Sequence, residues 1–405
     1  MLGEAIMLDR GKVGEKIFVL RKKSGITQYH LSKLLNVEPL EISKWENGVS
    51  LPNTDLLPVL AELFDTNFNE ILCIDKINNK KEKNKSRVLL HGIKYFNCDF
   101  SLISCIKSSL SFLGVHVSTG WISAPYAFTM KINNDGTFNN LNYNDISECI
   151  NEVVKNCGGI LSELSSYSSK INGYDNHEEM FEKIKSAIDM AFPCYIFNND
   201  KLQYYLIVGY DESGYYYIEP NTLRVIGPNL FSPSDYNGQN SLKAYTITNG
   251  KISSCIKTIK DVFEYAVNIT NYPNSKSDLG YTIGPKAYRI LINGIYQGTV
   301  DYNNLACNSY LWTKCKKFAV LFLRESKLRM DKFEKLFDST ISYYENAVNA
   351  LNQLSQLFPL DSYHDYNIPE SRKNVAIMLL KTAQRNEERG LEKIKYILNE
   401  IYKIW

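Results

Sequence analysis

Ile26-Thr27-Gln28-Tyr29-His30-Leu31-Ser32-Lys33-Leu34-Leu35-Asn36-Val37-Glu38-Pro39-Leu40-Glu41-Ile42-Ser43-Lys44-Trp45-Glu46-Asn47-Gly48 reads as two short helices joined by a tight turn. Thr27 is a natural N-cap, because its hydroxyl can accept from an N–H that the first turn leaves unpaired. Leu31, Leu34 and Leu35 recur at threes and fours, the spacing of one inward stripe on a helix that ends near Leu35. Asn36-Val37 makes the turn, and Pro39 suits the first turn of the next helix, where its missing N–H costs nothing. That second helix buries Ile42 and Trp45, turns Leu40, Glu41, Ser43 and Lys44 outward, and stops at Asn47-Gly48. Upstream, Val13 to Ser24 forms a helix with Val13, Ile17 and Leu20 on one side, closed by Gly25 as a left-handed cap. Downstream, Leu56 to Phe64 and Asn69 to Cys73 supply two closing helices.

Both spacing and residue class across this region resemble a Cro/repressor-type helix-turn-helix of the XRE family. The matching features are the Leu20-Arg21 helix, Gly25-Ile26-Thr27-Gln28, Leu31-Ser32-Lys33-Leu34-Leu35-Asn36-Val37 and Ile42-Ser43-Lys44-Trp45-Glu46-Asn47-Gly48, followed by Leu60-Ala61-Glu62-Leu63-Phe64. The resemblance implies that the second helix of the motif enters a major groove of DNA while the first crosses the backbone. It implies a DNA-contact set of Arg21, Thr27, Gln28, Pro39, Leu40, Ser43, Lys44 and Asn47. Arg21 would pair with Glu46 and reach phosphate. Pro39 and Leu40 stand where amide side chains often read adenine, so direct readout is expected to be thin and partly apolar.

The totals bound the rest. A chain of 405 residues is too long for one ordinary core, and two or three domains are expected. Hydrophobic residues at 44% and charged residues at 22% are those of a soluble globular protein. A net charge of +2 does not by itself argue for nucleic acid. Charge is unevenly placed, however. Residues 1–75 carry 8 Lys/Arg against 11 Asp/Glu, whereas Lys76 to Arg87 carry 6 basic residues and 1 acidic. That second run reads either as a solvated linker or as a basic strap that adds salt-dependent phosphate contacts. No apolar run approaches a membrane span, and the start lacks a signal-peptide pattern. Nine cysteines without a C-x-x-C pair fit reduced thiols, and a cytoplasmic protein with no metal and no cofactor is expected.

Beyond residue 90 the texture changes to aromatic, β-rich segments. Helices are expected over Phe100 to Phe112, Asn144 to Asn156 and His177 to Met190, and a strand over Tyr126 to Ile132. Pro193 to Phe197, Tyr204 to Tyr210 and Tyr215 to Glu219 read as an antiparallel meander. Helix in front and sheet behind make an α+β layer fold. Asp99 through Cys105 and Leu110 to Gly114 resemble the nucleophile helix of papain-like bacterial enzymes. His177 to Pro193, then Tyr204 to Asp211, resemble their helix and core strand. Chains like butirosin biosynthesis protein H and the bacteriocin-processing cysteine peptidases are similar. Carried over residue by residue, the resemblance puts Ser101 at the nucleophile position and Gln203 at the histidine position. Glu219-Pro220 replaces an Asp-Pro. Serine beside glutamine has no base to take its proton. Slippage by one turn would bring in Cys98 or Cys105, but the one stray histidine near enough to matter is His116. A degenerate site or ligand pocket is expected at Cys98, Ser101, Cys105, Trp121, Gln203, Tyr204 and Glu219. The aromatic residues Trp121, Tyr126, Phe128, Tyr204, Tyr205 and Tyr210 read mainly as core packing, with a ligand pocket as the alternative.

Asn271 to Asp278 is turn-rich and reads as a boundary. Past it, Lys286 to Ile295, Leu305 to Arg324, a long stripe from Phe333 to Leu354 and a last helix from Glu370 to Ile401 make a helical bundle. The fold class expected is therefore multi-domain. An all-α helix-turn-helix domain (1–75) and a basic linker (76–90) precede an α+β papain-like domain (91–275) and a C-terminal helical domain (276–405). The expected function is a dimeric, sequence-specific regulator of transcription. Its partners are double-stranded DNA, a second copy of the chain and a small-molecule or peptide effector, with no membrane. The alternatives are a papain-like acyltransferase or peptidase tethered to DNA, and a repressor whose large C-terminal part only dimerises.

Overall fold

The computed structural model describes residues 9–23, 26–35, 37–64, 66, 71–73, 87–139, 143–167, 175–198, 202–220, 222–230, 242–271, 280–360 and 368–404. The expected cap at Gly25, the turn residue Asn36, the basic run 76–86 and the boundary residues 272–278 lie outside them. The chain divides into two compact units, Met1–Ser86 and Arg87–Trp405.

The N-terminal unit is helical. Asp9 opens α1 (Arg10–Lys23) by accepting from the N–H groups of Gly11 at 3.0 Å and Lys12 at 3.2 Å. Thr27 Oγ1 accepts from His30 N at 3.1 Å at the head of α2 (Gln28–Leu35), the N-cap its residue type foretold. Glu38 is extended, and Pro39 then starts α3 (Pro39–Glu46). Gly48, at φ +70°, lets the chain leave α3 in the left-handed conformation. A single 3-10 turn, Thr54–Leu56, leads into α4 (Leu57–Leu63). Val13, Ile17, Leu31, Leu35, Ile42, Trp45 and Leu60 form the core. Leu34, expected inward, stands outward instead, because this eight-residue helix packs by the face that carries Leu31, Ser32 and Leu35. Gly14 allows α1 to cross the end of α3 closely, since a Cβ there would lie 2.2 Å from the Trp45 carbonyl oxygen.

The second unit is built on an antiparallel sheet. Its strands are β1 (Val88–Leu89), β3 (Cys157–Tyr167), β4 (Cys194–Asn198), β5 (Gln203–Asp211), β6 (Gly214–Ile218), β7 (Val225–Leu230) and β8 (Leu242–Ile252). The order is β3-β8-β4-β5-β6-β7, and β1 pairs with β5 through Val88–Tyr210 and Leu89–Gly209. Gly209 is required for that close approach, because a Cβ would lie 2.2 Å from the Val88 carbonyl oxygen. One sheet face carries Tyr204, Leu206 and Val208 into a large core with α5 (Ser101–Phe112) and α8 (Tyr143–Asn156). The other carries Tyr205 and Ile207 into a smaller core with α9 (Asp175–Asp189). The run expected as a strand over 126–132 begins as the short helix α7 (Ala124–Phe128), preceded by α6 (Thr119–Ile122). Pro125 sits in the first turn of α7, and its fixed φ favours helix over the β-like composition that follows. Only Lys131–Asn133 is extended, as β2, paired with β9 (Tyr281–Ile283).

Helices complete the unit. They are α10 (Cys255–Asn271), α11 (Lys286–Gln297), α12 (Tyr302–Arg329), α13 (Glu334–Leu357) and α14 (Glu370–Ile404). No division falls near residue 275. Residues of the sheet, α5, α7 and α8 share one continuous core with Tyr288, Trp312, Phe322, Tyr344 and Leu380, so the expected middle and C-terminal parts fold as one body.

Candidate nucleic-acid interface

In the N-terminal unit the inner side of the motif is tied together around one carboxylate. Arg21 donates from Nε to Glu46 Oε1 at 2.5 Å and from Nη2 to Oε2 at 2.8 Å. Its Nη1 donates to the Ile26 carbonyl at 2.8 Å. Gln28 Nε2 donates to the same Glu46 Oε2 at 2.7 Å. Donating these hydrogen bonds to Glu46 raises the guanidinium pKa above its ordinary value. Arg21 is only 4% exposed, and its hydrogen bonds tie α1, the turn and α3 together.

The outer face of α3 is sparse. Leu40 is 64% exposed, beside exposed Pro39, and both present apolar surface. Ser43 is half-buried, and Asn47 Nδ2 donates to the Ser43 carbonyl at 2.8 Å, which turns that amide back onto the helix end. Lys44 Nζ pairs with Glu41 Oε1 at 2.6 Å across one turn, both side chains half-exposed. Three exposed groups escaped the sequence reading. Tyr29 and Val49 stand out from the motif, and the Lys33 ammonium lies 5.4 Å from the Tyr29 ring centroid. The periodicity of α2 does place Tyr29 and Lys33 on one outer face, and that was the available signal.

The seven residues expected to line a second site do not converge. Ser101, in the first turn of α5, accepts from the backbone N–H of Tyr204 at 3.0 Å, so the helix start and the strand start do meet. Gln203, however, shares the opposite sheet face with Tyr205, whose hydroxyl lies 3.4 Å from Gln203 Oε1. Tyr204 is the residue whose side chain faces the α5 side, and it is buried among aromatic neighbours rather than open. Trp121 packs on Phe322 of α12, with the Arg329 guanidinium 4.4 Å from its ring centroid. Glu219 lies beyond β6 and accepts from the Thr222 hydroxyl at 2.7 Å. Tyr126 stacks on Phe100 at 4.1 Å, Phe128 packs edge-on to Tyr344, and Tyr205 and Tyr210 belong to the α9 side. Burial pushes the half-buried Cys98 thiol up, and it pushes Cys105, enclosed in the main core, up strongly.

Residues 19–71 match the family model described as Helix-turn-helix. The N-terminal unit carries a helix-turn-helix domain. Over 70 residues, 17% of its length, the chain is 29% identical to Antitoxin PezA of Streptococcus pneumoniae, covering 44% of that protein. Over 103 residues, 25% of its length, the chain is 27% identical to the HTH-type transcriptional activator BcrR of Enterococcus faecalis, covering 48% of that protein. The chain therefore spans about half the length of the curated relatives it matches. Among the described residues no helix is long and apolar enough to cross a membrane, and no group of three His, Cys, Asp or Glu is placed to hold a metal.

Proposed function

We propose that the protein is a sequence-specific DNA-binding regulator of transcription that acts as a dimer, its reading head the helix-turn-helix and its larger unit the sensor of an effector. The carrying observation is the solvent-facing side of α3, held in place by the part-buried Arg21–Glu46–Gln28 cluster. A helix presented in this way fits the major groove, and a two-fold pair of them would read half-sites about one helical turn apart. With the 1–75 segment carrying 8 basic and 11 acidic residues, affinity must come from doubling, from the basic run at 76–87, or from DNA shape.

The larger unit is read as a papain-like scaffold without a working nucleophile. Its support is the start of α5 meeting the start of β5 at Ser101 and Tyr204, with Gln203 turned away and both nearby thiols pushed up rather than down. The similarity to an antitoxin covers 70 residues and does not extend the proposal to toxin neutralisation. The test is a mobility-shift titration of the full chain against the promoter of its own gene at several salt concentrations. Selective, salt-sensitive binding that Ser43→Ala and Lys44→Ala weaken is the expected result. Binding without preference over unrelated DNA would sink the reading.

A further inference from the structure

Between the start of α10, the end of α12 and the end of α14 lies a cavity of about 260 Å³. Ile256, Met330, Phe333, Ile401 and Ile404 give it apolar walls, and Arg329 and Lys332 stand as its two charged lining residues. Among the described residues that line it there is no carboxylate. Arg329 Nη1 donates to the Glu325 backbone carbonyl at 2.8 Å and forms a long ion pair with the Glu325 carboxylate at 3.5 Å, a carboxylate that also accepts from the Ser118 hydroxyl at 2.5 Å. The flat side of the guanidinium rests on Trp121. Lys332 forms no ion pair among the described residues. Apolar walls closed by two cations are complementary to one ligand class.

We propose that this cavity binds an amphipathic anion, a single medium-length hydrocarbon chain ending in a carboxylate. The apolar walls take the chain, as most small-molecule pockets do, and the Arg329 fork and Lys332 ammonium take the charged end. A space of about 260 Å³ lies at the small end of ligand pockets, which suits a medium-length chain. As the effector site of a regulator the cavity rests on the proposed function above; as a binding site it does not.

The experiment is a calorimetric titration of the full-length chain, without DNA, against octanoate, with octylamine and 1-octanol as probes of the same length. Octanoate is expected to bind once per chain and at least tenfold more tightly than either probe. Arg329→Gln with Lys332→Gln should weaken octanoate at least tenfold. Ile404→Glu, which places a carboxylate at an exposed lining position, should abolish it. Thermal melts of each variant separate loss of binding from loss of fold. Equal affinity for octylamine, unchanged affinity in the double variant or in Ile404→Glu, or no heat with octanoate each overturns the proposal. Because no DNA is present, these outcomes are independent of whether the helix-turn-helix binds a promoter.

Discussion

Glu46 accepts from Arg21 twice and from Gln28 once, and the ion-paired side chains of Arg21 and Glu46 are only 5% and 3% exposed. Removing one member of such a pair strands the other charge in the core, a loss of about 3–5 kcal/mol. Glu46→Ala is accordingly expected to unfold the N-terminal unit first in a denaturant titration of the full chain, leaving the second unit folded. A change within about 0.5 kcal/mol, the range of an ordinary surface substitution, would show that the cluster is decorative. At Cys98 and Cys105 the same logic concerns reactivity. Burial holds both thiols protonated, so Cys98 should alkylate more slowly than a free thiol at neutral pH, and Cys105 only when the protein unfolds. Iodoacetamide labelling read by mass spectrometry decides this, and a Cys98 faster than free cysteine would revive the enzyme reading.

Among the elements, those with strong local signals were legible in advance. The helices of the N-terminal unit and all four after residue 285 have apolar stripes and recognisable stops, and Pro39 and Pro369 mark two of their beginnings. The strands β3 and β8 carried no such signal. β3 runs Cys157-Gly-Gly-Ile-Leu-Ser-Glu-Leu-Ser-Ser-Tyr167, polar on much of its length, and it becomes a strand by pairing with a partner some eighty residues away, from Cys157–Ile252 to Tyr167–Leu242. Non-local pairing cannot be read from either segment alone. The second site failed for a related reason. Counting along the sequence brought Ser101 to the start of β5, but a one-residue step on a strand reverses the face, and Gln203 falls on the wrong one. The β5–β6 turn offers a test of local chemistry. Burial raises the Asp211 carboxyl, but hydrogen bonds from the Ser213 hydroxyl and N–H, the Tyr216 hydroxyl and the Gly214 N–H outweigh it and leave the group below the usual carboxylate range. A depressed folded pKa stabilises above the unfolded value of about 3.9 and is lost as pH falls through the folded value. Asp211→Asn should therefore lower stability at pH 7 and flatten its decline below about pH 4. Identical acid limbs for the two proteins would contradict this.

Across the whole second unit, the sheet-bearing and helical parts are joined by a buried polar link. Lys316 on α12 and Glu387 on α14 are 0% and 1% exposed and lie 2.5 Å apart. Lys316 Nζ also donates to the Ala127 carbonyl on α7 at 3.2 Å, and the Tyr288 hydroxyl of α11 donates to Glu387 Oε2 at 2.9 Å. Four elements thus meet at one ion pair, α7 before and α11, α12 and α14 after the boundary that composition suggested near residue 275. Desolvating two charges costs roughly what their attraction returns, so the pair need not add net stability; it specifies which helices meet. Lys316→Met alone leaves Glu387 charged, buried and short of a donor, and should cost about 3–5 kcal/mol. Lys316→Met combined with Glu387→Met removes both charges and should recover most of that loss, since an apolar pair of similar volume is often neutral or stabilising. Urea denaturation followed by far-ultraviolet circular dichroism and by tyrosine fluorescence measures both quantities. In each protein the helical and aromatic signals of this unit should fall in one transition, because they report a shared core. A double variant as unstable as the single would mean that the hydrogen bonds to Ala127 and Tyr288, rather than the stranded charge, carry the cost.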